Sequence, residues 1–382
     1  MGGLTEVETD HVVANTEKRP LRVIHFPTAT SGNSWGLSRG ERALGLFSDV
    51  LVVGEDRLGY RADRRITFRD SSTRFGVGAN YMILAREVVR LLARYDIFHL
   101  NFGRSLIDFP EHGRDLLDLS LYARRGQVFM TYNGCDARQR DQTLRQTTLS
   151  ACHNDDCYGG ICLDGRHDET VRRRIELVDA VADGIFALTP DLLRYLPDRA
   201  VFLPVTIADW DRLQSCYPDS LPKTLRIAHA PTDRGAKGTH TILAVLEEVQ
   251  RLYPGRVEVL LIENVSHEEA LEMLASAHLL IDQILIGWYG AVAVEAMRMG
   301  VPVIAFVRGE DLARVPPAMA SDCRRAILSA TPGSLFDRIA SIIEDPNQLL
   351  DLHDHAGVYV ERWHDPLKVA SITKAIYEEA VA

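Results

Sequence analysis

The stretch LIDQILIGWYGAVAVEAMRMGVPVIAF, residues 280–306, decides the fold. An apolar run, HLLIDQIL (278–285), leads through a glycine-bearing loop into a segment of small apolar residues, GAVAVEAMRMG (290–300). A second apolar run, PVIAFV (302–307), follows. Strand-length apolar runs on either side of a helical segment predict a β-α-β unit with parallel strands. The alternation continues outward in both directions. Upstream, LRIAHAP (225–231) and VEVLLIE (257–263) read as strands around the helix GTHTILAVLEEVQRLY (238–253). Ser266 with Glu269 forms a capping box for the next helix. In the first half, LRVIHFP (21–27), DVLVVG (49–54), DIFHLNF (96–102), QVFMTYNG (127–134) and GIFALTP (184–190) read as strands. ANYMILAREVVRLLARY (79–95) is a strongly periodic helix, and the chain reads as helical from about residue 335. The fold class predicted is α/β, with two doubly wound halves.

A chain of 382 residues exceeds the roughly 250–300 residues at which single cores stop growing. The pattern breaks in a polar stretch near 207–223, which places the domain boundary there. Residues 1–20 read as a mobile tail and 21–206 as the first domain, with a cysteine-containing insertion at 135–167. The second domain runs over 207–360, and 361–382 forms a final segment. Hydrophobic residues make up 46% and charged residues 25%, which is ordinary for a globular chain. A net charge of −10 argues against a nucleic-acid binder, whose footprint is basic. Arg172, Arg173 and Arg174 read as a solvated helix face. No stretch reaches the roughly 18–20 apolar residues of a spanning helix, and the first twenty residues carry no apolar signal region. A cytoplasmic protein with reduced cysteines is the expectation.

Ligands of parallel sheets bind outside the carboxyl ends of the strands. In APTDRGAKGTH (230–240), Arg234 and Lys237 precede Gly238 and Thr239, where free backbone N–H groups gather. Cations at a helix N-terminus oppose the helix dipole, so they point to an anion such as a diphosphate, against the alternative of a basic loop in solvent. In IGWYGAVAVEAMRMG (286–300), Gly287 and Gly290 allow close backbone approach, and Glu295 can accept hydrogen bonds from a vicinal diol such as ribose. The alternative there is a glutamate on an exposed helix face. IENVSHEEA (262–270) sits where a nucleobase would lie, although its capping box is the stronger signal. In the first half, SGNSWG (31–36) contains Gly32 and Asn33, and Gly32, Gly36 and Gly40 fall at helical spacing. A ligand loop and tight helix packing explain that spacing equally well. In NGCDAR (133–138), Asp136 and Arg138 are placed to face a cleft, and Asp136 either orients an acceptor hydroxyl or serves as a plain loop carboxylate. His99 reads as a packed, hydrogen-bonded residue.

The segments KGTHTILAVLEE (237–248), LIENVSHEEALEML (261–274) and 280–306 resemble the donor domain of glycosyltransferases of the GT-B fold. The likeness is to the retaining glycosyltransferase family 4, also called group 1. It is specific in the second half and diffuse in the first. It implies two Rossmann-like domains facing a cleft, with a C-terminal helix that crosses back to the N-terminal domain. YVERWHDPLKVASI (359–372) resembles the segment leading into that crossover. Arg234 and Lys237 match the family's diphosphate-binding basic pair. Glu295 matches the second glutamate of its E-x7-E motif, which holds the ribose, and Tyr289 lies with Gly287 and Gly290 in the same donor loop. The first glutamate of the motif falls on Gly287, and Asn133 stands near where family members often have a histidine. SGNSWG resembles the glycine-bearing loop that meets the donor phosphate or the acceptor. The resemblance implies a nucleotide-diphosphate sugar as donor, an acceptor hydroxyl, transfer with retention and no catalytic metal. The setting implied is polysaccharide or natural-product glycoside biosynthesis. A non-catalytic nucleotide-sugar-binding homologue, favoured by Gly287 and Asn133, and a nucleotide-sugar epimerase on the same fold are the alternatives. The base, the sugar, the acceptor and the oligomeric state are not legible.

CHNDDCYGGIC (152–162) holds Cys152, Cys157 and Cys162, with Cys135 upstream. Four cysteines so close suggest a tetrahedral structural zinc, with His153 and His167 as alternative ligands. Unrelated free thiols in a long insertion are the other reading. Cys216 and Cys323 are isolated.

Overall fold

The structure, a computed structural model, describes residues 19–54, 59–69, 74–109, 113–215, 217, 218, 220 and 222–382. Most of the expected tail (1–18) and Cys216 lie outside the described residues. Among those residues, the first sheet contains β1 (Arg22–Phe26), β2 (Phe47–Val53), β3 (Arg64–Ile66), β4 (Ile97–Asn101), β5 (Gln127–Tyr132), β6 (Gly184–Ala187) and β7 (Val201–Phe202). Their order is β3-β2-β1-β4-β5-β6-β7, with every pair parallel. The second sheet contains β8 (Leu225–His229), β9 (Val257–Leu261), β10 (Leu279–Ile281), β11 (Val303–Ala305) and β12 (Ile327–Ser329). It is ordered β12-β11-β10-β8-β9, again parallel throughout.

Helices cover both faces of each sheet, so the central strands are continuous apolar runs rather than alternating ones. All five residues of β4 are buried, and so are Val23, Ile24 and Phe26 of β1. The strand order reverses beside β1 in one sheet and beside β8 in the other. Crevices at such switch points, outside the carboxyl ends of the strands, are where ligands collect.

The last helix, Pro366–Val381, packs on the first domain against the helix Asn33–Ala43. Glycine makes this approach possible. A Cβ at Gly40 would lie 2.1 Å from the Pro366 carbonyl oxygen, and one at Gly36 would lie 2.4 Å from that of Ile207. The glycine spacing therefore serves tight packing at these two positions, against the final helix and the interdomain segment. Buried polar contacts fix the seam. Thr373 Oγ1 donates to Glu41 Oε1 at 3.1 Å, and the Tyr377 hydroxyl meets His99 Nδ1 at 2.5 Å. His99 Nε2 pairs with Thr131 Oγ1 at 2.6 Å, and burial holds its pKa well below the usual histidine value. It is a packed, neutral core residue.

Candidate functional site

A cleft of about 2020 Å³ lies between the carboxyl ends of the two sheets. Its second-domain wall begins at the short helix Arg234–Lys237, started by Asp233, whose Oδ1 accepts the Ala236 N–H at 2.8 Å. Lys237 is buried and its Nζ pairs with Asp282 Oδ1 just beyond β10. The other Asp282 oxygen accepts the Gly290 N–H at 2.6 Å. Gly290 opens the helix Ala291–Arg298, and a Cβ there would lie 3.1 Å from Lys237 Nζ. Glycine at this position lets the helix N-terminus approach the ammonium without displacing it. A full positive charge and the positive end of a helix thus converge on one buried carboxylate. The charges of the ion pair cancel, and what is left over at this corner is the partial positive charge of the helix N-terminus.

Arg234 stands at the rim, about half exposed, with Nε and Nη2 on the two oxygens of Glu263 at 2.8 and 2.6 Å. That guanidinium holds the Glu263 carboxyl below its usual range. Glu295 is buried in the Ala291–Arg298 helix and pairs with His267 Nε2 at 2.7 Å. The His267 ring meets the Tyr60 ring of the first domain at 4.7 Å. The capping box of Ser266 and Glu269 is present and sets the helix that carries His267. Arg234, Lys237, Gly290 and Glu295 all line the cleft, as does the stretch from Ile262 to His267.

Other candidates point elsewhere. Thr239 Oγ1 donates to His229 Nε2 at 2.9 Å, while His229 Nδ1–H donates to Ile281 O at 2.7 Å. Burial lowers the His229 pKa to about 4, so this neutral tautomer persists at neutral pH. A Cβ on Gly238 would meet Ile284 and Leu285 at 2.8 and 3.1 Å, so Gly238 lets the helix start against the β10 loop. The Tyr289 hydroxyl turns to Tyr359 and to His364 Nε2, the latter at 2.9 Å, although the residue borders the cleft. Gly287, at φ +97°, faces Arg308, whose Nη1 lies 2.4 Å from where a Cβ would stand. The Arg308 guanidinium is held by Asp311 Oδ2 and by Leu149 O, both at 2.9 Å. Gly32 abuts Ala208, and Asn33 Oδ1 accepts the Thr206 N–H at 2.9 Å. It is the preceding Thr28–Ser31 stretch that borders the cleft.

Asp136 borders the cleft with its carboxylate turned back on its own loop. It accepts the N–H groups of Asn133 at 3.0 Å and Gly134 at 2.6 Å. Burial pushes its pKa up to about 6 against the pull of those amides. Arg138 is engaged with Asp191 at 2.6 Å. Several polar atoms of this part of the chain have no partner among the described residues, Tyr132 Oη and Asp191 Oδ1 included. Asn133 Oδ1 and Thr189 Oγ1 are buried without hydrogen bonds beyond the ends of the paired strands β5 and β6, and both residues line the cleft. Buried polar atoms left without a partner are uncommon in folded proteins and cluster here at the strand ends.

Cys135, Cys152, Cys157 and Cys162 are free, half-buried thiols, close enough for charge on one to raise the pKa of another. Burial is the larger cause, and it pushes Cys157 and Cys162 up to about 12. Among the described residues no group of three or more His, Cys, Asp or Glu side chains is set to hold a metal. The insertion instead reaches across to the basic loop of the second domain. Asn154 Nδ2 donates to Gly235 O at 3.0 Å, and the Tyr158 N–H donates to Asp233 Oδ1 at 3.2 Å. No sequence signal announced that contact, nor the pairing of His267 with Glu295.

No family model matches the chain. The MMP α-(1→4)-mannosyltransferase of Mycolicibacterium hassiacum is 27% identical over 259 residues, 59% of this chain and 58% of that protein. The match therefore spans less than two thirds of that relative's length. Among solved structures, a sucrose-phosphate synthase from Thermosynechococcus elongatus superposes with a TM-score of 0.60 at 16% identity, covering 94% of this chain and 99% of that one. A putative UDP-N-acetylglucosamine 2-epimerase from Listeria monocytogenes superposes at 0.52 with 12% identity, over 94% and 96%. With two parallel Rossmann-like sheets facing a cleft, the chain has the GT-B fold.

Proposed function

We propose that this GT-B chain is a glycosyltransferase that moves a sugar from a nucleotide-diphosphate donor to an acceptor hydroxyl, with retention at the anomeric carbon. The observation that carries the reading is the convergence of Lys237 and the Gly290 helix N-terminus on Asp282 at the cleft wall. The donor diphosphate would lie against Lys237 and this N-terminus, with Arg234 at the rim. Glu295 would exchange His267 for the ribose hydroxyls. The sugar would then project towards the ends of β5 and β6, where Asn133 and Thr189 offer unpartnered polar atoms. The curated relative, a mannosyltransferase, supports sugar transfer as the reaction class.

In the chemical step the bond between the anomeric carbon and the diphosphate oxygen breaks. The acceptor oxygen bonds to that carbon on the same face, and its proton passes to a phosphate oxygen. Negative charge grows on the leaving diphosphate, so cations and amide groups fixed in advance stabilise the transition state more than the ground state. The protein supplies position and charge rather than a strong base. Incubating the chain with a panel of nucleotide sugars and acceptors tests the reading through release of nucleoside diphosphate together with a glycosylated product.

A second reading has one observation in its favour. Gly287 stands where the resemblance expects a glutamate, and the Arg308 guanidinium occupies the adjoining space. Such a chain could bind nucleotide sugar without turnover. Binding with neither transfer nor donor hydrolysis would favour it. An altered sugar recovered still attached to its nucleotide would favour the epimerase.

A further inference from the structure

We infer that the outer face of the helix Arg74–Arg94, together with the adjoining segment 114–125, docks this protein on an anionic lipid surface. The helix is apolar on two sides. Inward it buries Leu84, Val88 and Leu91 in the core of the first domain. Outward, Met82 is 72% exposed, Val89 66% and Tyr81 49%. Their spacing places them on one stripe with Ala85. The Tyr81 ring meets Phe109 at 5.4 Å, and Leu117 and Leu121 extend the exposed apolar surface on the neighbouring segment. Exposed apolar side chains gathered on neighbouring segments, rimmed by charge, are the kind of surface that partners cover.

The charges around it choose the partner. Arg86 and Arg90 alternate with the apolar stripe, and Arg114, Arg124 and Arg125 flank it, all exposed. None of these five has a carboxylate partner among the described residues. The acids of the same segments are buried and engaged. Glu87 pairs with Arg64 at 2.6 Å, Asp115 with Arg173 and Arg174, and Asp118 with Tyr122 at 2.7 Å. Among the described residues the surface of this face is therefore purely cationic, in a chain of net charge −10.

Guanidinium groups pair with lipid phosphates, and apolar side chains between them sink below the headgroups, which is how a helix lies in a membrane interface. A second copy of the same face would set arginine against arginine. A nucleic-acid backbone offers nothing to Met82 and Val89. The inference rests on this surface and not on the donor-site reading.

Co-sedimentation of the full chain with vesicles of phosphatidylcholine, alone or mixed with phosphatidylglycerol, tests it. Binding is expected to the mixed vesicles only, and to fall as salt rises. Arg86→Gln and Arg90→Gln should each weaken it about fivefold. The pair Met82→Asp and Val89→Asp should abolish it while the unfolding curve stays unchanged, since both positions are exposed. Failure to bind mixed vesicles at low salt would overturn the inference, as would binding that survives the two aspartates. A wild-type dimer in solution that the aspartates dissociate would overturn it in favour of a second copy.

Discussion

Lys237 and Asp282 form a buried ion pair whose carboxylate also anchors the Gly290 amide, so one side chain ties the basic loop to the N-terminus of the Ala291–Arg298 helix. This pair is structural as well as electrostatic. Removing the lysine alone leaves an uncompensated buried carboxylate, which costs about 3–5 kcal/mol. Lys237→Ala should therefore lower both the unfolding midpoint and turnover. The double variant Lys237→Met with Asp282→Asn should recover most of the stability, because the amide oxygen introduced by the second change still accepts the Gly290 N–H. It should recover no activity. Denaturant unfolding alongside a transfer assay separates the two effects.

Arg234 behaves differently. Its ion pair with Glu263 stands at the solvent-exposed rim, where water screens the attraction and leaves little net contribution to folding. Arg234→Ala should leave the unfolding curve nearly unchanged and reduce turnover about 10²–10³-fold, by analogy with other donors to a developing oxyanion. Near-normal turnover would remove Arg234 from the diphosphate site.

Glu295 gives a test of ribose binding. Hydrogen bonds to a charged acceptor contribute about 1.5–3 kcal/mol each. Glu295→Ala should raise the donor KM by roughly 10–100-fold, and the variant should lose its preference for a ribose over a deoxyribose nucleotide. Titration of both nucleoside diphosphates against wild type and variant measures this. An unchanged preference would leave Glu295 as a partner of His267 only.

Asp136 predicts a pH effect on stability. Its folded pKa, about 6, lies above the ordinary 3.8 because burial disfavours the carboxylate. A raised acid pKa means that the folded chain holds the proton more tightly. The stabilising contribution is thus complete below pH about 4 and is lost as pH rises through 6, a change of about 3 kcal/mol. The difference in unfolding free energy between wild type and Asp136→Asn should follow that curve and flatten above pH 7.

Gly40 tests the crossover. A Cβ would stand 2.1 Å from the Pro366 backbone, which cannot yield as a flexible side chain would. Gly40→Ala should displace the final helix and cost about 1–3 kcal/mol. An exposed glycine such as Gly78, where nothing lies within 4 Å of an added Cβ, is the control.

The fold was legible because buried parallel strands are long apolar runs, and these survive in the sequence without any partner in view. The runs at 21–27, 96–102 and 225–231 contain β1, β4 and β8. The strands β3 and β12 were not legible. Each has three residues, and RRI and ILS give no run to read. The glycine spacing around Gly36 and Gly40 was visible, but its purpose lay in Ile207 and Pro366, far along the chain. In the candidate site, residue types and strand ends marked Arg234, Lys237 and Glu295. Their partners Glu263, Asp282 and His267 were not assigned, because ion pairs across 28 to 45 positions leave no local pattern. Thr239 looks like a ligand donor in sequence and is taken up by His229 in the structure, while Asn33 uses its Oδ1 to accept the Thr206 N–H and keeps its Nδ2 buried without a partner.

The most direct test of the donor site is thermal unfolding with UDP, GDP, ADP and dTDP, on wild type and on Arg234→Ala, whose fold should be intact. Ligand at about 100 times its dissociation constant stabilises the folded state by about 2.7 kcal/mol. The account predicts that at least one of these nucleotides raises the midpoint of wild type and that the rise is much reduced in the variant. No rise with any of the four, or an equal rise in both proteins, would contradict it.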